Sequence, residues 1–187
     1  MNLPKPIRFA NELDCENILK IYTPYILESA ISFETTVPSL QEFTGRFKDI
    51  NATYPWLVYE ENGQILGYAY GSPHRSRCAY SWSCEVTVYV DPSHHQKGVG
   101  SLLYKSLFQI LKMQGFYNLF AGITQPNEGS NKIHTKLGFK KIGTYKNIGY
   151  KFSAWHDVSW YQLEINSGSE PRTPTAITDK RKGLDLG

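Results

Sequence analysis

The run VYVDPSHHQKGVGSLLY, residues 88–104, constrains this chain more than any other segment: an extended strand enters a glycine-bearing turn and leaves it as a helix. Backbone N–H groups in a first helical turn have no partner within the helix, and the helix dipole adds partial positive charge there, so a pyrophosphate can dock at such a junction. Gly98 and Gly100 let the backbone come close to a ligand, and Lys97 either adds a charge-assisted contact or is a solvated loop lysine. Two familiar nucleotide loops do not fit. A Walker loop needs Lys-Ser/Thr after the second glycine, where Ser101-Leu102 stand, and a dinucleotide fingerprint needs a small residue where Leu103 stands.

Upstream, the alternation from Tyr80 to Val90 predicts a long strand with Trp82, Cys84, Val86, Val88 and Val90 on one face and Glu85, Thr87 and Tyr89 on the other. Asn62-Gly63 between WLVYE and QILGYAYG predicts a two-residue hairpin. Ser39 with Glu42 three residues on is a capping-box signature for a helix carrying Phe43, Phe47 and Ile50. Residues 5–10 read as a short edge strand. Asn11 or Asp14 then caps a helix with Ile18, Ile21, Tyr22, Tyr25 and Ile26 at helical spacing, in which Pro24 is expected to introduce a kink. The helix beginning at Gly98 should reach Gln114 and stop at Gly115, followed by a strand over Asn118–Thr124, a helix over Ser130–Leu137 and two strands ending near Ile165. The expected order is β-α-α-β-β-β-α-β-α-β-β in one domain, residues 1–166. Beyond it, 167–187 is polar, without periodicity, and reads as a tail.

Composition removes several functions. A formal charge of +3 spread along 187 residues argues against a nucleic-acid face. Cys15, Cys78 and Cys84 make neither a disulfide framework nor a zinc pattern, and the five histidines, His74, His94, His95, His134 and His156, lack metal-ligand spacing, so no metal is expected. No apolar run reaches the roughly 20 residues of a membrane span. No basic patch with an apolar core opens the sequence, so the cytoplasm is the expected location. His156-Asp157 invites a catalytic-triad reading, but no Ser or Cys occupies a nucleophile elbow.

The segment His95-Gln96-Lys97-Gly98-Val99-Gly100 resembles the coenzyme-A signature Gln/Arg-x-x-Gly-x-Gly/Ala of the GCN5-related N-acetyltransferase superfamily, with His95 departing from its first position. FETT, YPWLV, GYAYG, AYSW, EVTVYVDP, GVGSLLY, LGF and WHDV follow the order seen in the phosphinothricin and methionine sulfoximine acetyltransferase branch, from about residue 7 to 165. The resemblance implies an α/β fold with a mostly antiparallel sheet, flanked by helices, whose central strands splay to admit acetyl-CoA. It implies coenzyme contacts from the backbone of Val88, Tyr89 and Val90, from Gln96, Lys97, Gly98, Val99, Gly100 and Ser101, and from Asn127. Homodimers are common among similar proteins.

Acetyl transfer to an amine requires removal of the ammonium proton, stabilisation of an oxyanion and protonation of the departing thiolate. Glu85 is the expected base, because a carboxylate in an apolar, aromatic strand takes a proton more readily than one in water; the alternative is a sheet-face ion pair with Arg75 or Arg77. His134 stands where the phosphinothricin branch carries a histidine, and it is the expected proton donor or relay. Otherwise it is a helix histidine satisfying a carbonyl. A backbone N–H near Val88 would meet the oxyanion. Arg75, Arg77 and Tyr80 are candidates for binding a substrate carboxylate, and Phe33 for lining the pocket, against readings as solvated loop or core residues. The expected activity is N-acetylation of a small amino-acid-like amine. Rival acceptors are a protein N-terminus or an aminoglycoside, whose polycation would meet the basic Arg75 and Arg77. A non-catalytic coenzyme-A-binding module is disfavoured by the presence of both Glu85 and His134.

Overall fold

The computed structural model describes residues 3–168 and 170–178. Its elements are β1 (Ile7–Phe9), α1 (Cys15–Leu27), α2 (Leu40–Asn51), β2 (Trp56–Glu61), β3 (Gln64–Pro73), β4 (Ser83–Val90), α3 (Val99–Gln114), β5 (Asn118–Gln125), α4 (Glu128–Lys136), β6 (Lys140–Lys151) and β7 (Ala154–Glu164). The order matches the one read from sequence. They form a seven-stranded sheet in the order β1-β2-β3-β4-β5-β7-β6, with β4–β5 the one parallel pair among the described residues.

Local signals account for most boundaries. Ser39 and Glu42 close a reciprocal capping box on α2. Asn62 and Gly63 both adopt positive φ, as a tight hairpin between β2 and β3 requires. Asn11 caps a short 3-10 turn that runs into α1, while Asp14 receives Arg8 in an ion pair instead. α1 remains continuous through Pro24.

The sheet separates two apolar layers. On one face α3 packs Leu103, Leu107, Ile110 and Leu111 against Leu57, Ala69 and Cys84. On the other, α1 and α2 pack Ile18, Ile21, Phe43 and Phe47 against Trp56, Val58 and Tyr68. The alternation of Leu57 with Trp56 and Val58 between layers follows from the two-residue period of a strand. Each such fully buried side chain contributes about 1.5–3 kcal/mol.

Three expectations change. β4 begins at Ser83, not Tyr80: Cys78–Tyr80 forms a 3-10 turn in which Ser81 N–H and Oγ both donate to the Cys78 carbonyl, local bonds that displace extended backbone. α4 begins at Glu128 because Asn127 Oδ1 accepts from Ser130 N–H and caps it two residues early. The polar segment after Asn166 is anchored rather than loose. Ile177 is wholly buried in the α3 layer, its N–H donates to the Thr53 carbonyl, and Gln114 Nε2 donates to the carbonyls of Thr53 and Thr175. Residue 169 and residues 179–187 of the expected tail lie outside the described residues.

Candidate active site

β4 and β5 pair only over Ser83–Glu85 against Asn118–Phe120, yet β4 continues to Val90 and β5 to Gln125. The two strands therefore diverge beyond Glu85. A narrow cavity of about 110 Å³ occupies the gap and ends against Asn127, Ser130 and His134. A wider one of about 690 Å³ opens over Glu85 and Arg75, and the two share Ile31, Val86, Thr87, Tyr89, Gly122 and Thr124 on their walls.

In the wide cavity, the Glu85 carboxylate accepts the N–H of His74 Nδ1 at 2.9 Å. The His74 ring lies flat on Phe120, centroids 4.2 Å apart at 9°, and edge-on to Trp160. The imidazole is thus fixed on two sides and presents Nδ1 to the carboxylate. Glu85 itself is 31% exposed at the cavity mouth, more open than an apolar strand implies. Its partner is His74, not Arg75 or Arg77. Arg75 lines the cavity and braces against the His74 carbonyl at 3.1 Å. Arg77 and Tyr80 belong to the 3-10 turn and are not among the lining residues, because the chain turns before β4 instead of extending along it. Phe33 lines the wide cavity.

In the narrow cavity, His134 is buried. Its Nδ1 N–H donates to the Ser130 carbonyl at 2.7 Å, which leaves Nε2 as the acceptor, 3.2 Å from the Tyr104 hydroxyl. That hydroxyl also lies 3.3 Å from the Val86 carbonyl, on the strand β5 has left. Burial holds the His134 imidazole below its ordinary value of 6.5, so it is neutral at pH 7, and burial pushes the Tyr104 phenol upward. A neutral imidazole with a bare Nε2 is equipped to receive a proton.

At the junction of β4 and α3, Gln96 and Gly98 both adopt positive φ. Gly98 at φ 83° is the N-cap of α3, and the first intrahelical bond is Leu102 N–H to the Gly98 carbonyl. The amides of Val99, Gly100 and Ser101 therefore face outward from the helix start. At Gly100 a Cβ would meet Ile133 at 3.2 Å, so a larger residue would press α3 against α4. Lys97 is exposed on this loop. Val88 and Tyr89 line the narrow cavity, but the Val90 carbonyl is already bonded, by the Tyr25 hydroxyl and by His95 Nε2 at 3.1 Å. His95, the residue that departs from the coenzyme-A signature, is thus a brace between the loop, β4 and α1. Sequence reasoning missed His74, Tyr104 and this brace.

Residues 7–160 match the family model described as "Acetyltransferase (GNAT) domain". The phosphinothricin N-acetyltransferase of Streptomyces viridochromogenes is 37% identical over 94% of this chain and 96% of its own length. The L-methionine sulfoximine/L-methionine sulfone acetyltransferase of Salmonella typhimurium is 33% identical over 88% of this chain and 97% of its own. Among solved structures, a GNAT superfamily phosphinothricin acetyltransferase from Sinorhizobium meliloti in complex with AcCoA superposes with a TM-score of 0.86 at 32% identity, over 90% of this chain and 94% of that one.

Proposed function

Because the chain belongs to the GNAT acetyltransferase family and is an N-acetyltransferase, we propose that it moves the acetyl group of acetyl-CoA to the α-amino group of a small amino-acid-like acceptor of the phosphinothricin, methionine sulfoximine or methionine sulfone type. The observation that carries this reading is the divergence of β4 from β5, which joins a narrow channel to a wide cavity bearing a carboxylate and a guanidinium. Acetyl-CoA supplies a thioester carbonyl open to attack by an amine. The residues present fit it: a glycine-capped helix start for the pyrophosphate, a stretch of β4 at Val88 and Tyr89 that pairs with β3 but has no β5 partner for the pantetheine arm, and Asn127 near its end.

Glu85 accepts the proton of the acceptor's ammonium, directly or through water, while His74 orients the carboxylate. Arg75 meets the acceptor carboxylate, for which its planar donors are matched. A β4 backbone N–H near Val88 stabilises charge on the carbonyl oxygen. As the C–N bond forms, His134 Nε2, backed by Tyr104, takes the second proton from the attacking nitrogen, and as the C–S bond breaks it returns that proton to the departing sulfur.

The test is a thiol-release assay with acetyl-CoA across phosphinothricin, methionine sulfoximine, methionine sulfone and unrelated amines. Release with only the unrelated amines ends the acceptor assignment. Wild-type rates in both Glu85→Gln and His134→Ala end the catalytic one.

The reading includes a homodimer in a reducing, cytoplasmic setting. Ile148, Tyr150, Phe152 and Trp155 are each more than half exposed towards the turn of the β6–β7 hairpin, apolar area of the kind a second subunit covers. The three cysteines are unpaired thiols, and no helix among the described residues is long and apolar enough to cross a membrane. A monomer in sedimentation at assay concentration ends the dimer part.

A further inference from the structure

Lys151 is the last residue of β6, next to the tight turn at Phe152 and Ser153, and only 6% of it is exposed. Lysine is almost never buried to that extent without a partner. No carboxylate forms an ion pair with it among the described residues. Its ammonium instead donates to three backbone carbonyls, those of Ile26 at 2.6 Å, Ser29 at 2.8 Å and Ser32 at 2.7 Å. An ammonium has three N–H groups, and all three are used. Ile26 lies in the last turn of α1, where carbonyls lack helical partners and the dipole is negative, so a cation is well placed. Ser29 and Ser32 belong to the loop that continues into Phe33 and Glu34.

That loop is a wall of the acceptor side. Ile31, Ser32, Phe33 and Glu34 all line the wide cavity, and Ile31 reaches the narrow one as well. Lys151 lines neither. The same hairpin seats the loop at a second point. The Phe33 ring lies against Gly149, where a Cβ would come within 2.3 Å of it, and 6.2 Å from the ring of His156, whose Nε2 N–H donates to the Lys151 carbonyl. On the far side Tyr22 Oη bonds Ser32 Oγ at 2.6 Å. The loop has no strand or helix of its own between α1 and α2, and these ties hold it together with the Arg46–Glu34 ion pair and the bonds that the Ser29 and Ser32 hydroxyls accept from the Ile31 and Glu34 N–H groups.

We propose that Lys151 is a positioning residue for the acceptor: by gathering the carbonyls of Ile26, Ser29 and Ser32 onto the β6–β7 hairpin, it fixes the Ile31–Glu34 wall against which the amine substrate is held. The inference rests on the acetyl-transfer reading for its kinetic test, but the clamp has a readout of its own.

Lys151→Met keeps the length of the side chain and removes its donors. It is expected to raise KM for the acceptor about tenfold or more, with KM for acetyl-CoA and kcat within about twofold of wild type. Lys151→Arg, which restores the charge, recovers part of the loss. Gly149→Ala disturbs Phe33 without touching the lysine and gives the same acceptor-only pattern, so the test survives if Lys151→Met does not fold. An unchanged acceptor KM in folded Lys151→Met or in Gly149→Ala, or an equal rise in both KM values, overturns the proposal. Amide hydrogen exchange over residues 28–34 should accelerate in Lys151→Met while that of β4 does not. If exchange responds but the wild type acetylates no amine, the clamp stands and the acetyl-transfer reading fails. If exchange over 28–34 is unchanged, the clamp itself is refuted.

Discussion

Replacing Tyr104 by Phe removes a single hydroxyl from the narrow cavity and keeps the ring that packs on Phe108 and His134. That hydroxyl has one proton and two acceptors within reach, His134 Nε2 at 3.2 Å and the Val86 carbonyl at 3.3 Å. While His134 is neutral, one acceptor must go without. Once Nε2 is protonated, imidazolium donates to the hydroxyl and the hydroxyl donates to Val86, so every group is satisfied. Tyr104 thus favours the protonated state by roughly the strength of a hydrogen bond to a charged group, about 1.5–3 kcal/mol. If catalysis passes through that state, Tyr104→Phe lowers kcat by about 10- to 150-fold. The pH profile supplies a second, independent check. Burial already holds His134 below 6.5, so a proton acceptor there loses activity as pH falls through its lowered pKa. Without the hydroxyl the imidazolium is less stable, the pKa drops further, and the acid limb moves to lower pH even as kcat falls. Steady-state kinetics from about pH 5 to 9 on both proteins read both effects. An unchanged limb with an unchanged kcat refutes the relay, and activity lost as pH rises through the same pKa shows His134 to be the donor from the start.

Glu85→Gln should lower kcat by about 100- to 10,000-fold, the range of a lost general base, while His74→Phe, which leaves the carboxylate but not its orienting N–H, costs less; kcat for the three proteins checks the ranking. Arg75→Ala should raise KM about 10-fold or more for acceptors with a carboxylate, and leave KM unchanged for the corresponding amides. Ile177→Ala opens a cavity in the α3 layer and should cost about 2–5 kcal/mol, a fall of roughly 4–20 °C in Tm by calorimetry, without altering either KM.

What could be read in the sequence was what the chain settles locally. The Ser39/Glu42 box, the Asn62-Gly63 hairpin and the glycine start of α3 each depend on residues within a few positions, so their chemistry is visible in a short window. Glu85 stood out for a different reason, as a carboxylate in an apolar strand, and His134 through the family resemblance alone, which also assigned both roles. The groups that hold them did not stand out. His74 meets Glu85 because β3 pairs with β4 in a register that sets Ser72 opposite Glu85, and it stacks on Phe120 because β5 runs alongside. Lys151 reaches carbonyls more than a hundred residues away, and backbone acceptors carry no sequence signature at all. Ile177 is an apolar residue in a mostly polar stretch, with no period to reveal it.

The divergence of β4 and β5 explains why these unseen groups collect where they do. A strand that leaves its neighbour exposes carbonyls and side chains that the sheet no longer satisfies, and each must find a partner or a ligand. At Val86 the partner is Tyr104, and at Val90 it is Tyr25 with His95, both drawn from helices or loops on opposite faces of the sheet. Those two ties bracket Thr87 and Tyr89, which line both cavities, and Val88, which lines the narrow one. The site is therefore rigid at its two ends and open in its middle. A substitution that loosens either end should impair acceptor and acetyl-CoA use together, whereas one that moves only the Lys151-held loop should impair the acceptor alone. That contrast separates the channel from the acceptor wall by kinetics.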